Sequence, residues 1–361
     1  MRATETKAGR DALAWFAWGV LGFLLLVVLW GAFVRTSGSG GGCGANWPLC
    51  NGDFFPHHPR LATVIEFTHR SMTGVCTALV AALGAWIFYA TERGHRARRA
   101  WVWSAVLLVM EALLGAVLVL RGYVEQNVSM GRIAMQSIHF TNTLLLIAAV
   151  TLTAWFLSGR ESRSGRMVGR QRFFFVPEPH ANPLRVSLAR GMGTVVVWGF
   201  RALEPRNLAT ISIVATIVVG ATGSLAALAD TLFPSPSVAA GLMADFAASS
   251  PLLVRMRWMH PAAAVVALVC ALMLAGRLRP FVSAPERVLM RASESVAERV
   301  LIGLVVVQVA LGIGDVLLLA PTWMQVLHLL GADLFWVALV VVAAEVWWNG
   351  TGSVEAMALR R

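Results

Sequence analysis

Four of the eight histidines in this chain sit where a polar side chain is costly. His57, His58, His95 and His180 fall in polar stretches. His69, His139, His260 and His328 each lie about six to eight residues inside a long apolar segment. His69 and His139 are 70 residues apart, His260 and His328 are 68 apart, and the two pairs are offset by 191 and 189 residues. At 1.5 Å per helical residue, all four imidazoles fall roughly 9–12 Å below one membrane face. One such histidine is ordinarily satisfied by an interhelical hydrogen bond. Four at one depth, two per half, fit another use, because two imidazoles on facing helices can ligate a haem iron from both sides. Zinc would call for further carboxylate or thiolate ligands, and a proton relay is the main competing use.

Glu66 stands three residues before His69 and shares its helix face. A carboxylate in such a setting can move protons, hold a water or stabilise developing positive charge. Arg257 holds the corresponding place before His260, where a cation can neutralise a haem propionate, and Arg70 is its counterpart after His69. The Glu66 half is therefore expected to react and the Arg257 half to relay electrons. Glu111, Asp315 and Asp333 are expected to form hydrogen bonds rather than to catalyse.

Cys43 and Cys50 flank six residues in a polar loop beyond the first apolar segment. Three uses fit. A disulfide would cap the first site and contribute roughly 2–3 kcal/mol by loop entropy. A redox-active thiol pair is the second. The third is zinc, with His57 and His58 as further ligands. Cys76 and Cys270 lie inside apolar segments and read as filler.

Such residues need spans to hold them. Hydrophobic residues make up 57% of the 361 and charged residues 14%, against roughly 25% in soluble domains. With a mean hydropathy of +0.69, the chain fits neither one soluble domain nor a disordered polymer. Eight apolar stretches are near or above bilayer length: Ala12–Val34, Ala62–Ala90, Trp101–Leu120, Ile133–Leu157, Ala209–Leu228, Leu252–Ala275, Val300–Leu319 and Thr322–Val346. Runs this apolar are helices, because lipid offers the backbone no partner. The first is longer than a signal-peptide core and lacks a convincing cleavage site, so it reads as a retained span.

The net charge of +11 is distributed unevenly. If eight spans alternate, the clusters at the N-terminus, at 93–99, at 158–208, at 277–299 and at the C-terminus share one side. The other side has only Arg35, Arg60, Arg121, Arg132, Arg255 and Arg257. That asymmetry predicts cytoplasmic termini. It accounts for the basic pI with no nucleic-acid partner, since no aromatic-interleaved basic strand or recognition helix is present.

The chain also repeats itself. Met135-Gln136-Ser137-Ile138-His139 matches Met324-Gln325-Val326-Leu327-His328, and Glu111 with Gly115 matches Gln308 with Gly312. Gly31-Ala32 at the exit of the first span matches Gly220-Ala221 in the fifth. The predicted fold is an all-α membrane protein of eight transmembrane helices in two tandem four-helix bundles. Residues 1–158 and 209–361 form the halves and 159–208 an Arg-rich cytoplasmic linker.

The run Gly31-Ala32-Phe33-Val34-Arg35-Thr36-Ser37-Gly38-Ser39-Gly40, then Cys43, Trp47-Pro48-Leu49-Cys50-Asn51-Gly52 and Glu66-Phe67-Thr68-His69-Arg70, strongly resembles the haem A synthase family. The similarity runs through all eight spans and is most specific in the first 140 residues. The resemblance implies oxidation of a methyl group of haem O to the formyl group of haem A, for terminal oxidase assembly. It implies that His69 and His139 hold the substrate haem, with Arg70 nearby. His260 and His328, with Arg257, would hold a haem b cofactor. Glu66 matches the family's essential carboxylate, and Cys43 and Cys50 match its disulfide. Expected partners are haem O, the farnesyltransferase that makes it, an electron acceptor and the lipid of the cell membrane, and a homo-oligomer is compatible with the chain. A dihaem b-type electron-transfer cytochrome and a haem-handling protein without chemistry are the alternatives. Three departures stand out: Pro261 follows His260 where the family has arginine, Glu111 replaces a glutamine, and the fourth loop is longer than in the bacterial branch. Pro261 is expected to kink its helix.

Overall fold

The computed structural model describes residues 7–159, 204–277 and 287–349. Most of the Arg-rich linker, His180, Arg2, Arg279, Arg360 and Arg361 lie outside the described residues. Within them the structure is helical with no strand: α1 Lys7–Thr36, α2 Leu61–Ala90, α3 Arg96–Leu120, α4 Met130–Leu157, α5 Pro205–Leu232, α6 Val238–Phe246, α7 Leu252–Arg255, α8 Met259–Arg277, α9 Arg287–Leu317 and α10 Thr322–Asn349. Eight segments are long and apolar enough to cross a bilayer, one of them running from Leu252 to Gly276.

Local chemistry sets the ends. Ser129 caps α4 by accepting from the Arg132 amide at 3.3 Å, and the His95 imidazole caps α3 by accepting from the Ala97 amide at 3.2 Å. Burial pushes the His95 imidazole below its ordinary value, and nearby Arg98 adds to this while Glu92 opposes it. Pro205 opens α5 at a position that needs no amide hydrogen. This helix begins inside the stretch expected to be linker, so the second half starts before residue 209.

The sixth apolar stretch is not one helix. It breaks at Met256–Trp258, between α7 and α8. Pro261 then falls in the first turn of α8, where a missing amide hydrogen costs no intrahelical bond. The proline therefore sits just after a break and does not kink a continuous helix. Sequence patterning also missed α6, a nine-residue helix in the loop before α7.

Helices α1 to α4 neighbour one another in a closed ring, with α1 against α2 and α4, and α3 against the same two. Helices α5, α8, α9 and α10 are neighbours in the same order. The groups meet where α4 lies on α5 and α10 and where α1 lies on α10. The buried core runs through this seam, including Leu24, Ile147, Leu274, Trp336 and Leu339. Large apolar side chains on the outward faces, such as Trp103, Val109, Val265 and Val306, are exposed, as a lipid-solvated surface requires. One close approach needs glycine: a Cβ at Gly84 would sit 2.1 Å from the Trp101 ring, whose indole N–H donates to the Val80 carbonyl at 2.8 Å.

Candidate functional site

Each of the four intramembrane histidines rests on a glycine of a neighbouring helix. A Cβ built on Gly31 of α1 would lie 3.0 Å from the His69 Cε1 of α2, and one on Gly223 of α5 would lie 2.9 Å from the His260 Cε1 of α8. On Gly312 of α9 it would lie 3.1 Å from the His328 Cε1 of α10, and on Gly115 of α3 it would lie 3.8 Å from the His139 Cε1 of α4. The odd-numbered spans thus supply bare backbone against which the rings of the even-numbered spans stand. The counterpart of Gly31 in the second half is therefore Gly223. Gly220, the expected match, instead admits Leu144 and Phe140 of α4, which a Cβ there would meet at 2.4 and 3.2 Å.

The His260 and His328 rings face each other with centroids 6.3 Å apart and planes at 82°. One metal atom held by two imidazole nitrogens at about 2.0–2.1 Å each puts ring centroids roughly 6 Å apart. The His260 Nδ1 lies 3.2 Å from the Val219 carbonyl, an arrangement that leaves Nε2 free to ligate. Beside His328 is Gln308, whose Nε2 lies 3.2 Å from the ring Nδ1 and 3.4 Å from the ring Nε2, and donates to the His328 carbonyl at 3.2 Å. The histidines of the first half are His69 of α2 and His139 of α4. The Nδ1 atoms of both are buried without a hydrogen-bond partner. Glycine cradles with paired imidazoles in the second half, and glycine cradles with two orphaned ring nitrogens in the first, fit a planar metal-centred group.

Glu66 lies one turn outward from His69, and its side chain is only 4% exposed. Its Oε2 accepts from the Cys43 amide at 2.7 Å, and its Oε1 accepts from Arg70 Nη2 at 2.5 Å. Arg70 also donates to the carbonyls of Asn46 and Leu49 at 2.7 and 2.6 Å. The loop between is closed by a Cys43–Cys50 disulfide whose two residues are fully buried. That bond consumes both thiolates of the zinc alternative, and no cluster of metal-ligating side chains occurs among the described residues. Gly42 passes so close to the start of α2 that a Cβ would lie 2.4 Å from Ala62, and its carbonyl accepts from Thr63 Oγ1 at 2.7 Å. Glu66 and Arg70 thus clamp the disulfide loop onto α2.

Arg257 does the same for the loop that carries α6. It donates to Asp230 at 2.7 Å, to Asp245 at 2.8 Å and to the Gly241 carbonyl at 3.0 Å, tying α5 and α6 to the turn that precedes His260. Sequence reading missed these aspartates and also Arg35. The Arg35 guanidinium leaves the end of α1, donates to the Ala227 carbonyl and Thr231 Oγ1 of α5 at 2.7 Å each, and donates to Gln325 Oε1 of α10 at 3.0 Å. Glu111, expected to be a hydrogen-bonding residue, accepts from Asn142 at 2.6 Å and Thr143 at 2.5 Å and lies 3.5 Å from the His139 Nδ1.

Comparison with known proteins supplies the family. Residues 14–340 match the COX15-CtaA model, described as cytochrome oxidase assembly protein. A protein of Thermus thermophilus named protoheme IX farnesyltransferase is 37% identical over 346 residues, which is 95% of this chain and 50% of that protein. Haem A synthases of Alkalihalophilus pseudofirmus and Bacillus cereus are 33% identical over 155 residues and 39% identical over 131 residues. Those matches cover 42% and 36% of this chain, and 50% and 39% of the relatives. The chain spans about half the length, or less, of the curated relatives it matches. With its family model covering most of the chain, the protein belongs to the COX15-CtaA family of cytochrome oxidase assembly proteins.

Proposed function

We propose that this protein is a haem A synthase, which oxidises a methyl group of haem O to a formyl group. The observation that carries this is the fourfold glycine–histidine arrangement, two imidazoles per half, in a chain of this family. His69 and His139 would bind the substrate haem, and His260 and His328 would bind a haem b. That cofactor would supply one-electron transfer toward an acceptor outside the chain.

The chain's own residues do the rest. The glycine cradles fix where each ring stands. Arg70 and Arg257 act at the outer rims of the two sites, each holding a loop closed near its histidine. Glu66 is placed to take or give a proton at the first site whenever Arg70 or the Cys43 amide gives way. The disulfide keeps that loop in register and helps to exclude water. The Thermus relative named protoheme IX farnesyltransferase is matched over 50% of its length, which links this chain to farnesyl-haem synthesis. A haem O synthase is then the natural partner here. The arginine asymmetry supports cytoplasmic termini in the cell membrane.

Pigment extraction from the purified protein tests this. Cells supplied with haem O should yield formyl-haem, and Glu66→Ala should abolish conversion while bound haem remains. An unaltered yield of haem A in that variant refutes the role of Glu66. Bound haem with no formyl product in the wild type would make the protein an electron-transfer cytochrome.

A further inference from the structure

Glu111 and Gln308 hold corresponding places in the two halves. Each lies one helical turn before the glycine on which its histidine rests, Gly115 and Gly312 respectively. Glu111 Oε1 is 3.5 Å from the His139 Nδ1, and Gln308 Nε2 is 3.2 Å from the His328 Nδ1 and 3.4 Å from its Nε2. The side chains are nearly the same shape and differ in charge.

The surroundings hold Glu111 in place. Thr143 Oγ1 donates to one carboxylate oxygen and Asn142 Nδ2 to the other, so the group cannot swing away from His139 without losing both. The His139 Nδ1 is buried and has no hydrogen-bond partner, and Glu111 Oε1 is just beyond bonding distance from it. A small turn of the ring closes that gap, as catalytic contacts commonly tighten when a site fills. A carboxylate only accepts, so the bond would fix Nδ1 as the donor and leave Nε2 as the ligating atom. Gln308 is neutral in either amide orientation, and its Oε1 is buried without a partner.

We infer that Glu111 is a positioning residue that makes His139 the more electron-rich ligand, so that the haem of the first half has a lower reduction potential than the haem of the second half beside Gln308. This rests on the assignment of the four histidines as haem ligands. A carboxylate partner raises the basicity of a ligating imidazole, and hydrogen bonding to the axial ligand sets haem potential. With haem bound in both halves, that difference would favour electron transfer from the Glu111 half to the Gln308 half.

The test is a redox titration of purified, haem-loaded full-length protein, followed by visible spectroscopy. Glu111→Gln should raise the midpoint of the first-half haem by about a tenfold change in the oxidised-to-reduced ratio, or 59 mV for one electron, and leave the second unmoved. Gln308→Glu should lower the second-half midpoint by a similar ratio and decides the matter if the first variant does not fold. Unshifted midpoints in both variants, with both haems bound, overturn the inference and leave the ligand assignment standing. Unchanged haem content in His139→Ala overturns the ligand assignment itself.

Discussion

The glycine cradles predict a graded response to adding one methyl group. In Gly223→Ala the new Cβ would stand 2.9 Å from Cε1 and 3.0 Å from Nδ1 of His260. Carbon contacts are optimal near 3.5–4.0 Å, so the ring or α5 must move by about half an ångström. Overpacking of this kind costs roughly 1–3 kcal/mol, and alanine returns up to about 1 kcal/mol of helix propensity. A net loss of about 1–2 kcal/mol lowers haem affinity roughly five- to thirtyfold. In Gly115→Ala the Cβ meets His139 Cε1 at 3.8 Å, an ordinary contact, so the helix gain stands alone. Haem content per protein, measured by pigment extraction after a mild wash in detergent, should fall in Gly223→Ala and hold in Gly115→Ala. Gly31→Ala and Gly312→Ala, at 3.0 and 3.1 Å, should fall between. Equal losses in all four, or full haem content in Gly223→Ala, would show that the glycines do not seat the rings.

Replacing Cys43 and Cys50 together by serine should lower stability by about 2–3 kcal/mol, read as a lower unfolding temperature in detergent. Arg257→Leu leaves Asp230 and Asp245 facing each other without their cation, and should cost about 3 kcal/mol on the same measurement. Arg35→Met leaves Thr231, Gln325 and a carbonyl of α5 without their donor, and should cost about 1–3 kcal/mol. His95 caps α3 in its neutral form and binds protons less readily folded than unfolded. Its contribution should therefore be constant above the ordinary value of 6.5 and fall as pH drops through that value toward the lowered folded one. Unfolding temperatures of wild type and His95→Ala should accordingly converge as the pH is lowered.

The spans and the four histidines were legible because both are strong one-dimensional signals. Bilayer length sets the first, and an imidazole in an apolar run stands out at once. The Cys43–Cys50 pair was legible as a candidate, and only the coordinates joined it. The cradles were not, because glycine has no side chain to form a pattern and the chain contains 32 of them. Alignment of motifs chose Gly220, whereas packing chose Gly223 one turn along. Arg35 escaped because its partner Gln325 is 290 residues away, and nothing local announces such a bond. The break before α8 escaped because an apolar run reads the same whether or not it is interrupted. Glu66 was legible as a carboxylate one turn before His69, but its engagement by the Cys43 amide is a loop contact that helical spacing cannot foresee.

The guanidinium of Arg35 has a mechanical consequence. Apolar helix faces in a bilayer have little to choose between each other and lipid, so the seam between the halves is free to slip unless directional bonds forbid it. Arg35 pins α1 to α5 and α10 near one end, and Trp336 of α10 donates to the Leu144 carbonyl of α4 at 2.8 Å deeper in. Sliding one half past the other by a helical turn, about 5.4 Å, would undo both pins together. The relative height of the two histidine pairs is thus held by two bolts at different depths.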